Sequence, residues 1–160
     1  MKILKYSLIA FLSIIVIFFI IGLMLDSKAT VTRSIEINAP AKYAFNLINN
    51  TAKWADWSPW VEKDPNMKVV LEGPAAGVGA VRKWESDVPE VGFGDIEIIK
   101  STEYTNIKAN LNFSDMSMSA IDWTFVEKAG RTTLTWTSET EFGSNYIMRY
   151  LGLGFDSMMG

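Results

Sequence analysis

Residues 106–142 read NIKANLNFSDMSMSAIDWTFVEKAGRTTLTWTSETEF, and this stretch decides the fold. Apolar side chains occupy every second position: Ile107, Ala109, Leu111 and Phe113, then Ile121, Trp123 and Phe125, then Leu134 and Trp136. A period of two places them on one face of successive β-strands and leaves the polar residues between them on the other. Lys128-Ala129-Gly130 is a tight turn between two of these runs. Strands joined this closely form an antiparallel meander.

Outward from this stretch the pattern continues. Gly94–Ser101, Ala80–Ser86 and Met67–Leu71 read as further strands, with turns around Pro89 and through the glycine-rich segment 73–79. Thr30–Ile37 alternates as well, with Val31, Arg33, Ile35 and Ile37 facing one way and Thr32, Ser34 and Glu36 the other. Asn38-Ala39-Pro40 ends that strand and opens a helix to about Asn49, with Asn38 as its cap and Pro40 in its first turn. Tyr43, Ala44, Leu47 and Ile48 form its apolar face. Thr51–Pro65 is a short helical or looped stretch dense in Trp. Asn145–Met159 has a helical pattern with Tyr146, Ile147, Tyr150, Leu151 and Met158 as packing positions, weakened by Gly152 and Gly154. Strand, helix, helical loop, about six strands and a final helix make an α+β architecture: a curved antiparallel sheet with helices on one face.

The N-terminus differs in kind. No residue from Tyr6 to Leu25 is charged, and at about 1.5 Å per helical residue this run matches a bilayer core. It shows no polar stripe at a period of 3.6, as a soluble core helix would. Lys2 and Lys5 flank one end and Asp26 the other. The expectation is a transmembrane anchor over residues 1–26, inserted through 6–25, with the N-terminus cytoplasmic and one domain, 27–160, outside. The alternative is a cleaved signal, for which Ser27-Lys28-Ala29 has small residues at suitable spacing, although the apolar run exceeds the usual signal core.

Composition removes several function classes. Beyond Leu25 the chain carries 13 basic and 18 acidic residues, a net of −5, with no basic cluster. That argues against nucleic acid, whose phosphates are bound by Lys and Arg. There is no Cys and no His. Disulfides, thiolate metal sites, imidazole ligands and the usual serine-hydrolase triad are therefore excluded, and no metal, cofactor or catalytic group is assigned.

Several motifs carry a resemblance. These are the Thr30–Pro40 strand and helix start, Trp54-Ala55-Asp56-Trp57-Ser58-Pro59-Trp60, and the Gly73-Pro74 through Trp84-Glu85 strand pair. To them are added Gly92–Ile98, Asp122-Trp123-Thr124-Phe125, Thr135-Trp136 and Ser157-Met158-Met159-Gly160. Residues 30–160 resemble the START-like superfamily labelled SRPBCC, in its polyketide cyclase/dehydrase and lipid transport branch; the W-S-P-W segment is the most specific piece. The resemblance implies a helix-grip fold, in which a C-terminal helix lies across a curved sheet and encloses an apolar cavity. Members bind lipids, sterols, polyketides or other hydrophobic molecules, and some are enzymes. In the family the final helix runs several turns past Met-Met-Gly. Here the sequence stops, so a short or truncated terminal helix is expected.

Candidate site residues are weighed against ordinary packing. The six tryptophans Trp54, Trp57, Trp60, Trp84, Trp123 and Trp136 either line a pocket or fill the core of a small domain. Trp84 and Trp136, mid-strand, are the better pocket residues, with Trp57, Trp60, Trp123 and Leu111 beside them. Arg82 shares strand parity with Trp84; if it faces inward, it needs an anion, and otherwise a twist returns it to solvent. Asp95 and Glu97 alternate with Ile96 and Ile98 and read as the wet face of a sheet. The glycines at 73, 77 and 79 lack the Lys and helix of a phosphate loop and form a turn.

The leading expectation is a membrane-tethered binding module for a hydrophobic small molecule or lipid. The alternatives are a cyclase- or aromatase-like enzyme, and a protein-interaction domain whose groove takes a partner's helix.

Overall fold

Helices and strands follow in the order α1 (Lys2–Met24), β1 (Lys28–Ile37), α2 (Ala41–Asn49), a 3₁₀ helix (Thr51–Asp56), α3 (Pro59–Lys63), β2 (Lys68–Glu72), β3 (Val81–Glu85), β4 (Phe93–Thr102), β5 (Asn106–Phe113), β6 (Ser117–Lys128), β7 (Arg131–Glu141), α4 (Tyr146–Gly152) and α5 (Phe155–Met158). The computed structural model describes residues 2–114, 117–143 and 145–158. It divides into two units, Thr30–Thr140 and a second made of Met1–Ala29 with Glu141–Gly160.

In the larger unit the strands form one curved antiparallel sheet in the order β1-β7-β6-β5-β4-β3-β2. This is the expected α+β, helix-grip architecture. The two-residue turn at Ala129-Gly130 has φ of 53° and 75°, the positive pair a tight hairpin requires. Register aligns the apolar positions across strands: Ile98 faces Ala109, Ala109 faces Ile121, and Ile107 faces Trp123. Ile98, Ile107 and Ala80 are fully buried.

Helix α2 covers part of this face with Ala41, Ala44, Phe45 and Ile48, the i, i+3, i+4, i+7 spacing of one helical stripe. This shifts the expected stripe: Tyr43 and Leu47 are exposed, and Phe45 takes the core position. The helix start also differs. Pro40 is the cap residue and Asn38 does not serve; the Ala41 N–H donates instead to Glu127 Oε2 at 2.8 Å. A carboxylate from the end of β6 thus satisfies an orphan donor at the positive end of the helix. At the other end, the Trp54 indole donates to Ile48 O at 2.9 Å and the Gly77 N–H to Asn49 O at 3.0 Å. The glycine-rich segment is therefore a turn that caps α2. Gly73 has φ +75°, and a Cβ there would strike the Gly79 carbonyl oxygen.

Strand β2 is exposed along its whole length. Val70 and Leu71 lie open between Lys68 and Glu72. On the outer face Lys108 and Asp122 pair at 2.8 Å, and Asn106 donates to the same carboxylate at 2.6 Å. Asp95 accepts from Asn112 at 2.9 Å, in keeping with a wet face.

In the smaller unit, α1 is long and apolar enough to cross a membrane, and its side chains are exposed nearly all round. Helix α4 packs on its C-terminal half. Tyr150 stacks on Phe18 with centroids 4.4 Å apart and donates its hydroxyl to Phe18 O. Arg149 donates to the carbonyls of Leu25 and Gly143. The single expected C-terminal helix is two, α4 and α5, broken at Leu153-Gly154 as its glycines suggested. Ile147 is exposed and not a packing position. The side chains of Leu151 and Met158, and the residues Met159 and Gly160, lie outside what the structure describes.

Asp122 yields a pH test. Burial alone would raise its pKa, but hydrogen bonds from Lys108, Asn106 and Thr124 and the Lys108 charge outweigh it and hold the carboxyl below its ordinary value. A depressed folded pKa contributes stability above the unfolded value of about 3.9 and loses it as pH falls through the folded one. Asp122→Asn should lower stability at pH 7 by no more than about 1 kcal/mol. The gap to the parent in thermal melts should close as pH falls below the ordinary Asp range.

Candidate functional site

The inner face of the sheet carries the odd-numbered residues of β1, β5 and β6 and the even-numbered residues of β3, β7 and β4 as far as Ile98, where a bulge shifts the register and turns Ser101 inward. One part is closed. Under α2 and the 3₁₀ helix, Phe45 meets Phe125 at 5.6 Å and Trp54 meets Trp123 at 6.0 Å, both edge-on. Trp123 is 7 % exposed and lies inside this filled core. Trp57 tilts onto Trp54 at 5.5 Å and is 41 % exposed.

Around the closed part the same face stays partly open. Trp84, Leu111, Leu134 and Trp136 pack against the core and are only half-buried. Ile35, on the inner side of β1, is 58 % exposed. Trp84 and Phe113 have centroids 6.2 Å apart, and Trp60 of α3 approaches Phe113 at 6.4 Å. Trp84 is fixed in two ways. Its indole donates to Val91 O at 3.1 Å, and its ring lies over Gly94, directly across the β3–β4 ladder. A Cβ at Gly94 would come within 2.6 Å of the Trp84 ring and would also strike Asn112 O. Glycine here makes room for the indole.

Arg82 faces inward, as its parity with Trp84 implied. It is 6 % exposed. Its Nη1 donates to Thr51 O at 3.1 Å, and among the described residues no carboxylate pairs with it. Burial pushes its pKa below the usual arginine value. One further inner-face feature, not singled out from the sequence, is a set of buried hydroxyls. Ser119 and Thr140 share a hydrogen bond of 2.7 Å, Thr132 donates to Ala39 O, and Ser138 is buried beside them in sequence. Along β7, Thr132, Ser138 and Thr140 share the parity of Leu134 and Trp136, so alternation puts them on the inner face, while their polarity gives no sign that they are buried.

A depression of about 570 Å³ is lined by Lys68, Val70, Lys83, Phe93 and Asp95 among others, and Trp84 and Gly94 also line it. By strand parity most of this lining is on the outer face. Its rim is tied by the Lys83–Glu72 and Lys68–Glu85 ion pairs. Its volume suits a small ligand, but it lies mostly on the outer face, away from most of the half-buried inward side chains. The candidate site is the open part of the inner face. No group of His, Cys, Asp and Glu able to hold a metal occurs among the described residues.

The family model described as polyketide cyclase/dehydrase and lipid transport matches residues 28–154. Several solved structures share the fold. Norcoclaurine synthase from Thalictrum flavum is 12% identical with a TM-score of 0.61, over 81% of this chain and 78% of that one. A protein from Thermobifida fusca is 17% identical with a TM-score of 0.60, over 82% of each chain. The di-domain aromatase/cyclase BexL of the BE-7585A biosynthetic pathway is 20% identical with a TM-score of 0.58, over 80% of this chain and 41% of that one. No curated protein matches.

Gly94→Ala should displace the Trp84 indole. Overpacking of this kind costs about 1–3 kcal/mol. Thermal denaturation should show the loss, and tryptophan emission should shift to the red as Trp84 leaves its place.

Proposed function

The chain belongs to the polyketide cyclase/dehydrase and lipid transport family, and from that premise we propose that it binds a hydrophobic small molecule or lipid on the inner face of its sheet while α1 holds it to a membrane. One observation carries this reading: Trp84, Leu111, Leu134 and Trp136 point inward from the sheet and yet remain half-buried, with Ile35 largely exposed. Apolar surface left open on the side where a core belongs is stabilised by an apolar occupant, at about 0.8 kcal/mol for each CH₂ taken from water. Trp84 and Trp136 are the principal wall residues in this reading. Leu111 extends the wall, and Trp57 and Trp60, each about two-fifths exposed, form its rim. Trp123, packed on Trp54, supports the wall from behind. The tether has its own logic, because lipophilic ligands partition into bilayers and a binding face held nearby meets them at high local concentration.

The test uses the full chain, extracted in a maltoside detergent and examined by native mass spectrometry. A co-purifying or added lipid should be retained by the parent chain. Trp136→Ala should weaken retention about tenfold, equivalent to about 1.4 kcal/mol. A chain that retains no member of a panel of fatty acids, sterols and phospholipids would overturn the binding reading. Turnover of a bound polyketide-like substrate would replace it with the cyclase reading.

The tether is checked independently. The chain should resist carbonate extraction from membranes, and removal of residues 3–24 should release it. Because the protein has no Cys, Asp87→Cys provides a single label site. A membrane-impermeant maleimide should reach it from outside the cell if the N-terminus is cytoplasmic, and a block to labelling would reverse the orientation.

A further inference from the structure

We infer that the ligand of this face carries a single anionic head group, a carboxylate or a phosphate, held by Arg82; the inference rests on the binding reading above. Arg82 lies in the inner row Leu71–Arg82–Ile96–Leu111 set by the strand register. It is 94 % buried, yet its one described hydrogen bond is to a neutral acceptor, the Thr51 carbonyl. A guanidinium stays protonated and carries five N–H donors, and one backbone carbonyl meets one of them. No Arg82 nitrogen is both sealed from solvent and unpartnered, so its remaining donors stay within reach of a ligand. A strut to Thr51 alone requires only a neutral donor. A buried cation is retained at lower cost when an anion completes it, and the guanidinium fork matches a carboxylate or phosphate with two parallel hydrogen bonds.

Position gives the rest of the ligand. Trp84 is two residues along the same strand face, about 7 Å away. Leu111 stands in the Arg82 row, and Phe113 lies between Trp84 and Trp60. A head group at Arg82 therefore directs an apolar tail along the half-buried Leu111–Phe113–Trp84 wall. The ligand class is an anionic amphiphile, and a neutral hydrocarbon, alcohol or sterol lacks the group that Arg82 requires.

The experiment offers the delipidated full chain, in maltoside micelles, equal concentrations of dodecanoate, dodecyl phosphate and dodecanol, and reads retention by native mass spectrometry. The parent chain should hold at least one of the two anions tenfold or more over the alcohol, and the preferred anion identifies carboxylate or phosphate as the head group. Arg82→Gln, which keeps a donor for Thr51, should erase the preference while still retaining the alcohol. Arg82→Lys should keep part of it. Dodecanol held as tightly as both anions, or an undiminished preference in Arg82→Gln, overturns the inference and leaves hydrophobic binding standing. Retention of none of the three overturns both. The parent-chain comparison decides the matter even if Arg82→Gln does not fold.

Discussion

A seven-stranded sheet has more inner face than the helices of its own unit can cover. Six spacings of about 4.8 Å put its outer strands about 29 Å apart before curvature, whereas the nine residues of α2 extend about 14 Å. The 3₁₀ helix and α3 add six and five residues. The arrangement follows from this mismatch. Where α2 and the 3₁₀ helix reach, Phe45, Trp54, Trp123 and Phe125 interlock into an ordinary core. Where they do not, Trp84, Leu111, Leu134 and Trp136 stay half-buried, and an open apolar face results.

The closed part also positions the open part. Arg82 is tied to Thr51, where the chain leaves α2 for the 3₁₀ helix, and the adjoining turn at Gly77 caps the same helix end. Trp84 is fixed between Val91 O and the bare backbone of Gly94. Arg82 and Trp84 are thus each held by a hydrogen bond to a backbone carbonyl, which restricts their rotamers.

Much of the sheet was legible because alternation is a local signal. The strand assignments over 94–142 and the inward parity of Arg82 and Trp84 needed nothing but a period of two. Tertiary relations were not legible. Asn38 is a good capping residue, but Glu127, distant in sequence, reaches the helix start and takes that role. Tyr43 and Phe45 are both aromatic on a short helix, and only the direction of the sheet beneath decides that Phe45 turns in. Trp123 and Trp136 have the same strand setting in sequence; Trp54 closes over the first, and the second stays half-open. The parity of Leu134 and Trp136 also assigns Thr132, Ser138 and Thr140 to the inner face, but nothing in their polarity signals that they are buried.

Strand β2 carries a separate consequence. It ends the sheet with one row of backbone groups unpaired, and its five residues are all exposed. Val69, Val70 and Leu71 are the kind of segment that recruits another chain into a growing fibril. Lys68 and Glu72 bracket it, each already paired with a charge on β3. Charges at both ends of an apolar edge oppose the edge-to-edge pairing of copies, so Lys68 and Glu72 occupy the positions of gatekeepers.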